Sequence, residues 1–334
     1  MPTLQGCRVV GYVLPPWADT IRPHQQAALS EILAQFAAGS KVVMLDAPTG
    51  SGKTLIGELT AQSLNVRALY LCSSLSLQSQ FHRDFPRSVI LKGRTNYPTG
   101  DSPGDFPKLN AGDCTKVRAM LPACFMCNPD DTGLDEMHCR WCHPVTECHY
   151  EQAKFSAIRS PLVCTNTSYF LHEANYVGNL PIGRGLIIVD EADTLEDVLM
   201  SFVEVSLTAR KAKQYGIEPP DKKTVESSWV EWAQGAEITL KAYRVAGDDV
   251  AAIRARSAHK RLLGNIKRLN DPSSGIQAGG WVYTGYDKGD ISFKPITVSP
   301  LTEEYLFRHA PRFLLMSATT ISFPIFAETL GLAA

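Results

Sequence analysis

Six short apolar runs punctuate the chain, at residues 41–46 (KVVMLD), 67–72 (RALYLC), 88–91, 162–165, 186–190 (LIIVD) and 313–317 (FLLMS). Each is continuous rather than alternating, the pattern of a strand buried on both faces of a parallel sheet. Between them apolar positions recur at helical spacing, over 25–38 and 53–63 for example. Strands alternating with helices predict a doubly wound α/β domain with a mostly parallel sheet. Two stretches break the rhythm. Residues 95–150 are rich in Pro, Gly, Asp and Cys with little periodicity. Residues 224–270 read as helical, with Trp229, Trp232, Ile238, Leu240 and Tyr243 among polar positions, and 271–280 (DPSSGIQAGG) as a loop.

A length of 334 residues, 44% of them hydrophobic, leaves room for two domains or one large domain with insertions. Such a chain buries a core without staples. Thirty-three basic residues against 34 acidic ones give a net charge of -1, so a nucleic-acid partner needs a local basic surface. No run approaches the roughly 18 apolar residues of a membrane span. The first residues lack the basic-then-apolar order of an export signal. Together these predict a soluble protein of the cytoplasm, bacterial or host. Of nine cysteines, six lie between Cys114 and Cys148. The odd total and the CxxC pairs point to metal in a reducing compartment rather than to disulfides. Cys7, Cys72 and Cys164 sit on or near apolar runs and read as core.

Two motifs carry chemistry. Residues 46–54 (DAPTGSGKT) follow an apolar strand and open a helical pattern. Gly50 and Gly52 let backbone N–H groups turn inward, and the helix start points its positive end at an anion. Ala47, Pro48, Thr49, Gly50, Ser51 and Gly52 form the cradle; Lys53 reaches the β- and γ-phosphates and Thr54 reaches Mg²⁺. The usual first glycine of GxxxxGK[ST] is Ala47 here. The bland alternative is a glycine turn between strand and helix, but the TGxGK[ST] core arises by chance in roughly one chain of this size in a thousand. Residues 186–193 (LIIVDEAD) end a strand in carboxylates. Asp190 there suits Mg²⁺ and Glu191 suits activation of a water. On its own the motif also fits a solvated acidic turn that opens a helix.

With Ser317-Ala318-Thr319 downstream, the order DAPTGSGKT, DEAD, SAT resembles motifs I, II and III of superfamily 2 helicases. IRPHQQ (21–26) is similar to the adenine-reading glutamine motif, with Gln25 at the glutamine, and SLQSQFHRDFP (76–86) to motif Ia. LKGRTNYP (91–98), CHYEQAK (148–154) and LVCTNTSYFL (162–171) resemble the iron–sulfur helicases of the DinG/XPD group. The likeness runs over most of 20–334. It implies a RecA-like P-loop NTPase domain interrupted by an iron–sulfur insertion and a helical arch, with 5′ to 3′ movement on single-stranded DNA driven by ATP. It also implies that Ser317 and Thr319 couple nucleotide state to DNA contact.

Two departures shape the expectation. The cysteine after KGRxNYP in the DinG pattern is Thr99 here. Four of Cys114, Cys124, Cys127, Cys139, Cys142 and Cys148 are then expected as ligands, in three competing sets. Cys139, Cys142 and Cys148 resemble the last three ligands of a DinG-type cluster; Cys114, Cys124, Cys127 and Cys148 resemble the XPD spacing. Cys124-x2-Cys127-x11-Cys139-x2-Cys142 has the form of a tetrahedral zinc site. A 4Fe–4S cluster is the favoured cofactor and zinc the alternative, metal folding a segment that holds little apolar surface. His138, His143 and His149 lie beside cysteines and read as exposed neighbours, while Tyr97 and Trp141 read as local packing rather than base-stacking platforms.

The second departure is that the sequence stops soon after motif III, so a second RecA-like domain with motifs IV–VI is expected to be absent and supplied by a partner polypeptide. A transition-state arginine from that domain is worth about 10³–10⁵ in rate. Residues 250–270 carry Arg254, Arg256, Lys260, Arg261, Lys267 and Arg268 and no acid. Arg254, Arg261 and Arg268 recur every seven residues, while Leu262, Ile266 and Leu269 mark the packed face. The face is a candidate for phosphate contact or a solvated helix surface.

The organisation expected is a motor domain at 1–94, a cysteine-rich insertion at 95–155, motor domain again at 156–200, a helical arch-like insertion at 201–280 and the end of the motor domain at 281–334. The function expected is that of an ATP-dependent DNA helicase acting on single-stranded or forked DNA. An ATP-switched nucleic-acid-binding or assembly subunit is the alternative, and a zinc-ribbon module with a vestigial nucleotide site a third.

Overall fold

A computed structural model describes residues 12–98, 110–111, 149–221, 225–247, 250–285, 290–319 and 322–332. They fall into two compact units. The first holds the described residues up to Leu195 together with Leu301–Glu328, and the second holds Glu196–Pro300 with Thr329–Leu332.

All six apolar runs become strands of one sheet in the first unit. They are β1 (Val42–Asp46), β2 (Ala68–Cys72), β3 (Val89–Leu91), β4 (Leu162–Asn166), β5 (Leu186–Val189) and β9 (Phe313–Ser317), ordered β1-β9-β5-β2-β4-β3 and parallel throughout. Every residue of β2, β5 and β9 is buried, which is why these strands read as unbroken apolar runs. Helices α1 (Pro23–Ala37), α2 (Lys53–Leu64), α3 (Leu75–Asp84), α4 (His149–Arg159) and α5 (Thr167–Tyr176) supply the crossovers. Proline at the first turn starts α1, while Ser74 and Asn166 side chains cap α3 and α5.

Leu29, Ile32 and Phe36 of α1 and Leu55, Ile56 and Leu59 of α2 pack with Ile188 and Met316 in one core. A Cβ on Gly57 would lie 3.2 Å from the Ile188 side chain, so α2 sits directly on the sheet. The expected RecA-like α/β domain is what forms. Its strand order matters for chemistry because β9 lies between β1 and β5. The loops leaving those three strands therefore share one crevice at their carboxyl ends, where open α/β sheets bind ligands.

The second unit begins in α6 (Leu195–Val203) and contains β6 (Val205–Leu207), α7 (Ala209–Tyr215), α8 (Glu226–Ala242), α9 (Val250–Leu269), β7 (Trp281–Gly285) and β8 (Ile291–Pro295). Its three strands form an antiparallel sheet, β6-β8-β7. Trp229 stacks on Tyr283 at 4.3 Å between centroids and meets Phe293 edge-on at 5.3 Å, joining α8 to that sheet. The helical reading of 224–270 holds as two helices, and Ile238 proves exposed. The antiparallel sheet is absent from the sequence expectation. Back in the first unit, α10 (Thr302–Tyr305) precedes β9 and α11 (Phe323–Thr329) follows it.

Candidate nucleotide site

The phosphate loop leaves β1 at Asp46 and enters α2 at Lys53. Gly50 and Gly52 take φ of +81° and +87°, a left-handed backbone that glycine adopts freely. At Gly52 a second constraint applies, since a Cβ there would fall 2.2 Å from Gln25 Nε2. Gln25 is 4% exposed. Its Nε2 donates to the Ser51 carbonyl at 2.9 Å, and its Oε1 accepts from the Arg22 N–H at 3.0 Å. The His24 ring nitrogen Nε2 lies 3.1 Å from the same Ser51 carbonyl. Lys53 Nζ donates to the Ala47 carbonyl at 2.9 Å and to that of Pro48 at 3.4 Å.

The acidic motif leaves β5 opposite. Tyr70, buried on β2, donates its hydroxyl to Asp190 Oδ2 at 2.7 Å, and its phenol oxygen lies 3.4 Å from Thr54 Oγ1. The two residues expected at Mg²⁺ are thus tied to one phenol. Burial lifts the Asp190 carboxyl above the ordinary aspartate range, opposed by the Tyr70 hydroxyl and the Glu191 N–H, which reaches Oδ1 at 3.0 Å. Burial also pushes the Tyr70 phenol well up, reinforced by the Asp190 charge, so it stays a donor. Glu191 has φ of +51°, uncommon for a residue with a side chain, and Ser73 Oγ donates to its Oε2.

Asp193 completes the cluster. Ser317 Oγ donates to its Oδ1 at 2.7 Å and Thr319 Oγ1 to its Oδ2 at 2.9 Å. Burial raises this carboxyl, but the two hydroxyls outweigh that and hold it below the usual aspartate value. The Ala47 N–H donates to the Ser317 carbonyl at 3.0 Å, joining the phosphate loop to β9.

These loops enclose a cleft of ≈ 820 Å³ lined by Gln25, Thr49, Gly50, Gly52, Lys53, Thr54, Asp190, Glu191, Asp193 and Thr319, with Trp17, Asp19 and Arg22 at its side. The residue set fits a Mg²⁺-nucleotide. It offers a loop whose glycine conformations a side chain would block, one lysine, and a buried carboxylate beside a threonine hydroxyl. Asp193, Tyr70, Ser73 and Trp17 carried no role in the sequence reading. Asp193 was legible as the last residue of DEAD, whereas Tyr70 and Ser73 meet the motif only through strand pairing.

Arg254, Arg261 and Arg268 belong to α9, in the other unit. Leu262, Ile266 and Leu269 are buried as expected, and Arg261 is exposed. Arg268 is half-buried; its Nη2 donates to Asn265 Oδ1 at 2.7 Å, and its guanidinium lies 5.9 Å from the Trp281 ring. The Arg254 side chain lies outside the described residues. So do Cys114, Cys124, Cys127, Cys139, Cys142 and Cys148, with Cys7, His138, His143 and Trp141. Among the described residues no group of three or more His, Cys, Asp or Glu side chains is placed to hold a metal ion. Cys72 and Cys164 are buried thiols, and Tyr97 packs edge-on against Tyr150 at 5.7 Å. No helix among the described residues is long and apolar enough to cross a membrane.

Residues 19–105 match the family profile described as Type III restriction enzyme, res subunit. No curated protein matches the chain. Among solved structures the chain is similar to one described as XPD_Helicase, at 14% identity and a TM-score of 0.49, over 95% of this chain and 61% of that one. It is similar to one described as Truncated XPD, at 14% identity and 0.46, over 91% and 96%. A third, the S. tokodaii Xpd4 structure, matches at 14% identity and 0.40, over 89% and 57%. The chain thus spans less than two thirds of the first of these structures.

Proposed function

We propose that the chain is the first motor half of an ATP-dependent DNA helicase or translocase of the DinG/XPD type. One observation carries the reading: Gln25, the loop residues Thr49, Gly50, Gly52, Lys53 and Thr54, with Asp190, Glu191, Asp193 and Thr319, scattered over nearly 300 residues, line a single cleft. Loop N–H groups and Lys53 would bind the β- and γ-phosphates, Lys53 exchanging the Ala47 and Pro48 carbonyls for phosphate oxygens. Gln25 would meet adenine while its bond to Ser51 ties that contact to the loop. Thr54 and Asp190 are the residues that would hold Mg²⁺, which when bound neutralises phosphate charge. Glu191 would orient the attacking water and take its proton. Ser317 and Thr319, bonded to Asp193, would carry the change at the γ-phosphate toward the DNA-contacting side.

The γ-phosphate also calls for a cation from a second RecA-like domain, on a partner polypeptide or on further chain. Single-stranded or forked DNA is the proposed partner, with movement 5′ to 3′ and Arg254 and Arg261 among the phosphate contacts. Four of the six clustered cysteines are proposed to bind 4Fe–4S, with zinc the alternative that iron and sulfide analysis would reveal.

Strand displacement tests the reading. Anaerobically purified protein, combined with the polypeptide that carries the second RecA-like half, is expected to open a fork bearing a 5′ single-stranded tail only with ATP and Mg²⁺, and Lys53→Ala is expected to abolish it. Opening from a 3′ tail alone would overturn the polarity. ATP-dependent DNA retention without displacement would favour the non-motor binding subunit.

A further inference from the structure

The pairing of β2 with both β5 and β4 brings three loop ends together. Leu71 lies opposite Val189 and Cys72 opposite Asn166. The chain therefore leaves β2 at Ser73 between Glu191 on one side and Asn166 on the other. Ser73 Oγ donates to Glu191 Oε2. Asn166 Nδ2 donates to the Ser73 carbonyl at 2.7 Å, and Asn166 Oδ1 accepts the Ser168 and Tyr169 N–H groups at 2.9 and 3.3 Å as the cap of α5. Thr167 Oγ1 reaches the Cys72 carbonyl at 3.4 Å, a second tie to the same turn.

Glu191 needs such support. Its backbone is in the left-handed region, it lines the open cleft, and among the described residues its carboxylate has one side-chain partner, Ser73. An exposed glutamate samples several rotamers, and fixing one of them costs conformational entropy that a neighbouring donor offsets. We infer that Ser73 is a positioning residue for Glu191 and that Asn166 sets Ser73 for that task. The inference rests on the hydrolytic role given to Glu191 above. Ser73 does not touch the reacting atoms. It holds one carboxylate oxygen so that the other faces the water.

The test uses single-turnover ATP hydrolysis with Mg²⁺, alongside affinities for a non-hydrolysable ATP analogue and for ADP with aluminium fluoride, a mimic of the transition state. Ser73→Ala is expected to slow hydrolysis about 10- to 100-fold, the scale of a catalytic group misplaced by about an ångström. It is expected to weaken aluminium fluoride binding in parallel and to leave the analogue's affinity within about twofold. Ser73→Thr keeps the hydroxyl and is expected to restore both. Asn166→Asp keeps the α5 cap but sets a carboxylate oxygen against the Ser73 carbonyl, so it is expected to share the rate loss with only a small fall in melting temperature. An unchanged or raised rate in Ser73→Ala overturns the inference, and so does loss of the analogue together with thermal stability. Controls separate this failure from that of the parent reading. Glu191→Gln at the wild-type rate, or wild type no faster than Lys53→Ala, would sink the hydrolytic reading itself. Loss in Glu191→Gln with Ser73→Ala intact sinks only the inference.

Discussion

Asp190 is pulled two ways. Burial disfavours its charge, while the Tyr70 hydroxyl and the Glu191 N–H favour it, and the carboxyl ends above the ordinary value of 3.8. A metal ligand must be ionised, so protonation competes with Mg²⁺. As pH falls through the raised value the carboxylate is lost sooner than an exposed aspartate would be. Magnesium-dependent nucleotide affinity should therefore begin to fall at a higher pH than 3.8 implies, and Asp190→Asn should flatten that dependence. Nucleotide titrations across pH with and without Mg²⁺ check this, and an acid limb unchanged in the variant would refute it. Asp193 goes the other way, its carboxyl held low by Ser317 and Thr319, so that bridge should outlast Asp190's charge on acidification. At this scale the sequence disclosed groups whose neighbours are local: Lys53 and Thr54 in their loop, Asp190 and Glu191 in theirs. It did not disclose Tyr70 or Ser73, which lie 120 and 118 residues from their carboxylate partners and meet them only across paired strands.

Strands were legible through continuous apolar sequence, both where they are wholly buried (β2, β5 and β9) and where they are only partly so (β1 and β3). Strands with two covered faces have no polar side to confuse the pattern, and all six were read close to their observed ends. The antiparallel sheet escaped notice because its strands are short and one-sided: β6 has three residues, and β8 alternates buried Ile291, Phe293 and Pro295 with half-buried Ser292 and Lys294. That alternation was the available signal. Position along an element also hides function of a structural kind. Arg184 is buried with no carboxylate partner among the described residues; it donates to the Ser160 and Ala157 carbonyls at 2.6 Å each, at the end of α4. Burial, aided by the Arg67 charge, pushes its guanidinium down to about 9, still protonated at neutral pH. Arg184→Ala leaves those buried acceptors unpaired and opens a cavity, which should cost about 2–4 kcal/mol. Urea unfolding at neutral pH measures it, and a loss below about 0.5 kcal/mol would show that the carbonyls find other donors.

Over the whole chain, Lys53 of the phosphate loop and Asp190 of the acidic motif stand 137 positions apart, yet a single sheet order brings their strands to either side of β9. That arrangement was foreseeable from motif order once the fold class was fixed. The second unit, Glu196–Pro300, was legible only as a helical run, because such a run does not state its contacts through periodicity; the clustered cysteines lie outside the described residues. ATP hydrolysis in the cleft is the activity on which the proposed function stands. Steady-state hydrolysis by anaerobically purified protein, with and without single-stranded DNA, tests it most directly, with Lys53→Ala and Glu191→Gln as blanks. Slow Mg²⁺-dependent turnover is expected, accelerated by DNA and abolished in both variants. Turnover that survives in either variant, or tight ATP binding with none in the wild type, would contradict it.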